Sequence, residues 1–260
     1  MSTLLQGVLS RPDVWQAGRL PASSTPREAE PTGHSALDGV LHHGGWPRAA
    51  LSELLADQCG IGEMQLLAPA LARCSAGRQR LFLVAPPHIP YAPALQALGL
   101  RLERLLVLRP AREADLLWSL EQVLRSGACA GLVGWLPAGQ RASGYATLRR
   151  LQVAARGCQG PAFLFREASG APAHSPAALR LRLLPAGAEL ELQILKQRGG
   201  NAGQCVRIPR PAELLMPRLH PALLPVPQPT AGPAEARPVD AAAAGLHPAP
   251  PERIVRILPH

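Results

Sequence analysis

Lysine is almost missing from this sequence. Of 27 Lys and Arg residues in 260, one is a lysine, Lys196. A chain that grips phosphate or forms a Schiff base through lysine has a single position from which to do it. Aromatic residues make up 3%, too few to build a stacking platform for unpaired bases. The five cysteines, Cys59, Cys74, Cys129, Cys158 and Cys205, are odd in number and scattered, with no CxxC pair. That pattern argues against a zinc or disulfide framework and suits free thiols in a reducing cytoplasm. His42, His43, His88 and His174 lack partners at metal-ligand spacing, and Ser143-Gly144 and Ser169-Gly170 lack the context of a nucleophile elbow. No apolar run approaches the roughly 18 residues of a membrane span. The start, MSTLLQGVLSRPDVW, has neither the basic residues nor the long apolar stretch of a signal peptide, so a cytoplasmic location is expected.

What the chain has in excess is proline, at 29, and arginine, which dominates a net charge of +9. An arginine-rich coding bias explains such a charge, and so does attraction to nucleic acid or to an acidic protein surface. Hydrophobic residues at 47% against 17% charged read as globular. The prolines concentrate at the end. After about Pro209 the composition turns to Pro and Ala, with five Arg against four Asp and Glu, so eight of the nine net charges precede the tail.

Residues 1–20 read as a short helix with Leu4, Leu5, Val8 and Leu9 at helical spacing. From residue 37 to about 208, strand-like runs alternate with amphipathic helices. Strands are expected over 51–56, 80–85, 104–108, 131–136 and 162–166, and helices over 64–74, 93–98, 111–126 and 145–156. That order predicts an α/β fold with a mainly parallel sheet covered by helices. Residues 178–184 and 189–196 alternate apolar and polar around a Pro-Ala-Gly turn, which predicts a C-terminal antiparallel hairpin at the sheet edge. The expected division is 1–31 (helix and linker), 32–209 (globular domain) and 210–260 (disordered Pro/Ala-rich tail). Within that tail Ile254, Val255, Ile257 and Leu258 form an apolar island over 252–258, which is either a docking peptide or incidental.

A phosphate-binding loop needs glycines that free backbone N–H groups, a Lys for the outer phosphates and a Ser or Thr for magnesium. The best candidate is LSELLADQCGIGEMQLL, residues 51–67, between a strand and a helix. Gly60 and Gly62 supply backbone freedom, but Glu63 stands where the Lys belongs, with Met64 and Gln65 where the hydroxyls belong. A carboxylate there repels a triphosphate, and Met does not hold magnesium. Taken alone, the segment reads first as an ordinary glycine-containing turn.

Its neighbours resemble the RecA family. Thr32-Gly33, Leu37-Asp38, Gly44-Gly45-Trp46-Pro47-Arg48 and Glu53 follow the TG…LD…GG-P…E pattern that leads into the RecA loop. Leu98-Gly99-Leu100, Arg125-Ser126-Gly127-Ala128 and Ile194-Leu195-Lys196-Gln197-Arg198 resemble later RecA segments in the same order. The resemblance implies a RecA-like core and places Pro87, beside His88, at the catalytic Glu. It places Trp135 at the magnesium-linked Asp of the strand end. With Glu63, three catalytic positions are replaced together, which implies no enzyme activity and no cofactor. Among RecA-like chains, ELLADQCGIGE, GLVGWLP and the short chain with a variable tail look like the ImuA family. That resemblance implies an adaptor in SOS-induced, error-prone translesion synthesis. Its implied partners are an ImuB-like inactive Y-family polymerase protein, an error-prone replicative-type polymerase and RecA. The alternative is a SulA-like inhibitor of cell division, although such inhibitors are usually shorter and lack the tail. An active ATPase would have to bind nucleotide without the loop Lys.

Other candidates carry two readings each. The counterparts of the RecA DNA loops, 137–144 and 167–176, hold one clear cation, Arg141. With Arg149, Arg150 and Arg156 it makes a basic strip for nucleic acid or a partner, or else a solvated helix face. Cys59 at a helix start is either an activated thiolate or a packed small residue. Trp118 and Trp135 are expected in the core, and Trp15 and Trp46 partly exposed. The N-terminal helix either docks on a neighbouring RecA-like subunit or folds back on its own domain.

Overall fold

The computed structural model describes residues 29–137, 144–169, 171, 174–210 and 254–256. The expected N-terminal helix, Trp15 and most of the tail lie outside them. Parallel strands need long crossovers, and helices supply them here. A small entry ribbon comes first: β1 (Ala29–Glu30) pairs antiparallel with β2 (Trp46–Pro47) around α1 (Ser35–Asp38). The main run is β3 (Leu51–Leu55), α2 (Glu63–Ser75), β4 (Arg80–Val84), α3 (Ala92–Ala97), β5 (Leu105–Leu108), α4 (Glu113–Arg125), β6 (Cys129–Trp135), α5 (Tyr145–Ala154) and β7 (Ala162–Arg166). It continues through β8 (Leu179–Ala186), β9 (Glu189–Gln197) and β10 (Cys205–Pro209), and β11 (Ile254–Arg256) closes the described chain.

These strands form one sheet in the order β10-β9-β8-β3-β7-β6-β4-β5-β11. The six strands from β8 to β5 pair parallel, while β8–β9, β9–β10 and β5–β11 pair antiparallel. The parallel strands are mostly apolar because both faces are covered, with Ser52 and Glu53 in β3, Arg166 at the end of β7 and Arg180 and Arg182 in β8 as interruptions. One face takes Leu66, Leu67 and Leu71 of α2 with Leu95 of α3. The other takes Leu116, Leu120, Val123 and Leu124 of α4 with Leu148 and Leu151 of α5. The expected hairpin is present, but it is not the outer edge. β8 bonds to β3, and β10, which sequence reading did not separate from the domain's end, lies outermost.

Two tryptophans sit opposite to expectation. Trp46 is fully buried, its ring edge-on to Phe163 with centroids 5.0 Å apart. The ribbon explains this: Gly45 lies so near Glu30 that a Cβ there would meet the Glu30 carbonyl oxygen at 2.3 Å, which seats the following Trp inward. Trp118 is 55% exposed. It follows the buried Leu116 by two positions, roughly 200° around the helix, so it faces away from the core.

The buried carboxylates of Glu53 and Glu30 are each held by two arginines, as burial of charge demands. Glu53 in the middle of β3 is fully buried and is held by Arg166 of β7 and by Arg180 of β8, whose Nε lies 3.1 Å from its Oε2. Glu30 is gripped by Arg48 and by Arg73 of α2, each at 2.8 Å, which fastens the entry ribbon to the domain.

Candidate functional site at the strand ends

In an open parallel sheet the carboxyl ends of the strands form the natural ligand crevice, because the loops there diverge to either face. This chain has a cavity of about 340 Å³ at that place. Its wall comes from the ends of β3 (Ala56, Asp57, Cys59), β4 (Ala85, Pro87), β6 (Trp135, Leu136) and β7 (Phe165, Arg166, Glu167), with Glu63 at the start of α2. Three of the sequence-singled residues, Glu63, Pro87 and Trp135, therefore meet around one space.

The loop is shaped by glycine. Gly60 and Gly62 have φ of +79° and +99°, the left-handed region that glycine enters without strain. Gly62 is the N-cap of α2. A helix start of this kind directs backbone N–H groups at an anion. Here an anion is already built in: the Gly60 N–H donates to Glu63 Oε1 at 2.9 Å. The other Glu63 oxygen is buried without a hydrogen-bond partner among the described residues. The loop thus turns a carboxylate onto the donor that a phosphate would take.

The floor is apolar. Trp135 and Phe165 stack, 19° from parallel with centroids 5.4 Å apart, so the expected core Trp is in fact a half-buried wall of the cavity. Arg166 reaches the same wall but is committed to Glu53. Asp57 pairs with Arg182 at 3.4 Å, and Glu167 accepts the Ser169 hydroxyl at 2.6 Å. Lys196 lies away from the cavity, on β9 opposite Arg180, where its Nζ donates to the Ser175 carbonyl at 2.5 Å. Burial lowers its pKa. The wall carries the carboxylates of Asp57, Glu63 and Glu167 and the Trp135 indole, and Arg166, which is already paired, is its one basic residue among the described residues.

Cys59 is exposed rather than packed, and partial desolvation followed by the nearby Glu63 carboxylate raises the pKa of its thiol. Met64 is the second residue of α2 and packs partly against the core. Arg149 and Arg150 are exposed on α5 and Arg156 just beyond it, while Arg150 bonds to Glu121 at 2.5 Å. Arg141, Ile257 and Leu258 lie outside the described residues, whereas Ile254 and Val255 fall in β11. Among the described residues no His, Cys, Asp or Glu group could hold a metal ion, and no helix is long and apolar enough to cross a membrane.

Sequence reasoning missed Arg210. It follows β10, donates to the Ile61 carbonyl at 3.1 Å and to the Gly187 carbonyl, and so pins the loop from outside. A Cβ on Gly62 would press on it at 2.8 Å. No periodicity signals a contact between residues 149 positions apart.

No protein-family model and no curated protein matches the sequence. Among solved structures, the chain is similar to the RadB recombinase, with a TM-score of 0.54 and 16% identity over 69% of this chain and 95% of that one. SulA from Pseudomonas aeruginosa is 31% identical over 46% of this chain and 98% of that one, with a TM-score of 0.37. The likeness to RadB shows the fold, which is RecA-like.

Proposed function

We propose that this chain is a non-catalytic, RecA-like accessory protein that acts by binding protein partners in SOS-induced, error-prone translesion synthesis. The observation that carries the non-catalytic part is the Gly60 N–H held by the Glu63 carboxylate, in a cavity floored by Trp135. A nucleotide would have to displace an internal anion and then place its own charge beside Asp57, Glu63 and Glu167. A sheet kept whole around such a site is a scaffold for recognition. The role in translesion synthesis follows from the ImuA-like motifs, which nominate an ImuB-like polymerase protein and an error-prone polymerase as partners and RecA as a third.

The test has two arms. Purified chain mixed with the ImuB-like protein is expected to bind without any nucleotide, and deleting the gene is expected to lower damage-induced mutation frequency. Unchanged mutation frequency together with arrest of cell division on overproduction would replace this reading with the SulA-like one.

A further inference from the structure

Two of the five cysteines meet inside the domain. Cys129 is the first residue of β6, and Cys158 follows the end of α5 by four positions. They are 29 positions apart in the chain, a separation that carries no spacing signal, yet their sulfurs lie 3.2 Å from one another. Both residues are buried, at 0% and 1% exposure. The backbone holds them there: the Gln159 N–H donates to the Cys129 carbonyl at 3.0 Å, and the Cys158 thiol reaches the same oxygen at 3.4 Å. Glycines let the segments come this close. A Cβ on Gly157 would meet the Leu124 carbonyl oxygen at 2.6 Å, and one on Gly160 would run into the Ala130 carbonyl oxygen. The pair sits at the amino end of β6, the opposite end of the sheet from the cavity.

A disulfide forms without backbone movement only between cysteines whose side chains already face one another, and sulfurs in contact meet that condition. The contact also makes the two thiols unequal. The hydrogen bond with Cys129 lowers the pKa of Cys158 against its desolvation, and the Gly160 backbone and the Arg48 charge act in the same direction. The same bond, together with burial, raises that of Cys129. Cys158 is therefore the sulfur with thiolate character, and the thiolate is the nucleophile. Cys74 is a third thiol nearby, 3.4 Å from where a Gly160 Cβ would stand. It is half-buried, and burial pushes its thiol up to about 12, which leaves it a poor nucleophile. Cys59 and Cys205 are exposed and lie elsewhere, one at the cavity and one on β10.

We propose that Cys129 and Cys158 are a reversible disulfide site that a hydroperoxide closes. The Cys158 thiolate attacks a peroxide oxygen and the O–O bond breaks, giving a sulfenic acid and an alkoxide or hydroxide that takes up a proton. The Cys129 sulfur then displaces the sulfenic hydroxyl, its own proton leaves with that group as water, and the S–S bond forms. In all, two thiols lose two electrons and two protons, and the peroxide is reduced to one water and one alcohol, or to two waters. Both sulfurs are buried, so the oxidant is one small enough to enter during local opening. The link closes the crossover through α5 into a covalent loop that fixes the start of β6 to the approach to β7. This site is independent of the cavity at the strand ends and of whatever that cavity binds.

The experiment treats the full, folded chain with hydrogen peroxide, caps the remaining thiols with iodoacetamide and digests it with trypsin in the absence of reductant. Cleavage after Arg125, Arg141, Arg156 and Arg166 leaves Cys129 in the peptide 126–141 and Cys158 in 157–166. Mass spectrometry is expected to find these two peptides joined, with the loss of two hydrogens from their summed mass. Dithiothreitol is expected to separate them, and the Cys74→Ser variant is expected to give the same joined pair. Peroxide that oxidises the exposed Cys59 and Cys205 but leaves 126–141 and 157–166 separate would overturn the inference. So would a link that runs through Cys74, or one that forms only after urea has unfolded the chain.

Discussion

Glu53 and Glu63 belong to one strand–loop–helix unit, and the structure uses them in opposite ways. Glu53 is sealed in the sheet, with Arg166 and Arg180 as its ion-pair partners. Glu63 stands at the cavity, one oxygen on a backbone N–H and the other without a hydrogen-bond partner among the described residues. A buried ion pair adds little over a well-packed apolar core, yet losing one member strands the other at high cost. A carboxylate at a helix start is stabilised by the local dipole and is easily replaced. The first glutamate therefore belongs to folding and the second to what the cavity accepts.

That contrast is open to direct attack. Glu53→Gln is expected to lower unfolding free energy by about 3–5 kcal/mol in a denaturant titration, whereas Glu63→Gln is expected to cost under about 1 kcal/mol. Similar losses for both would erase the distinction. Glu30→Gln, which releases the partly exposed Arg48 and Arg73 from a buried carboxylate, is expected to fall between them at about 1–2 kcal/mol. Its mark is faster proteolysis of the entry ribbon rather than global unfolding. Arg210→Ala is expected to cost about 1 kcal/mol and to speed amide exchange over residues 58–62, because the loop loses its outer pin. Unchanged exchange there would remove Arg210 from the site.

The smallest effect concerns pH. His34 is held below its ordinary pKa of 6.5, chiefly by burial, against the opposing bond to the Leu66 carbonyl and the charge of Asp38. Below about 6.5 the unfolded chain then binds more protons than the folded one, so stability falls as pH drops through that value. His34→Gln is expected to flatten that slope in thermal melts between pH 7 and 5.

Much of this was legible beforehand because parallel strands announce themselves as short apolar runs between amphipathic helices. The runs at β3, β4, β5 and β7 and the stripe Leu116, Leu120, Val123 and Leu124 needed only local periodicity. The meeting of Glu63, Pro87 and Trp135 came from the resemblance to RecA, which puts each at a strand end or helix start, positions that topology brings together. What stayed hidden depends on long-range contact. Trp46 is buried through a two-residue ribbon and a glycine pressed against Glu30, and neither has a period. The partnership of Glu53 with Arg166 and Arg180, and of Arg210 with Ile61, joins residues over 100 positions apart. The three residues of β11 are too short to distinguish from any apolar island in a Pro-rich tail.

The central claim is that the cavity has been closed to nucleotide by its own carboxylate. Calorimetric titration of the purified chain with ATP and magnesium, with hydrolysis followed in parallel in the presence and absence of single-stranded DNA, tests it most directly. No heat of binding and no turnover is the predicted result. Saturable binding or phosphate release would show that Glu63, Pro87 and Trp135 do not stand in the places assigned to them, and would contradict the account.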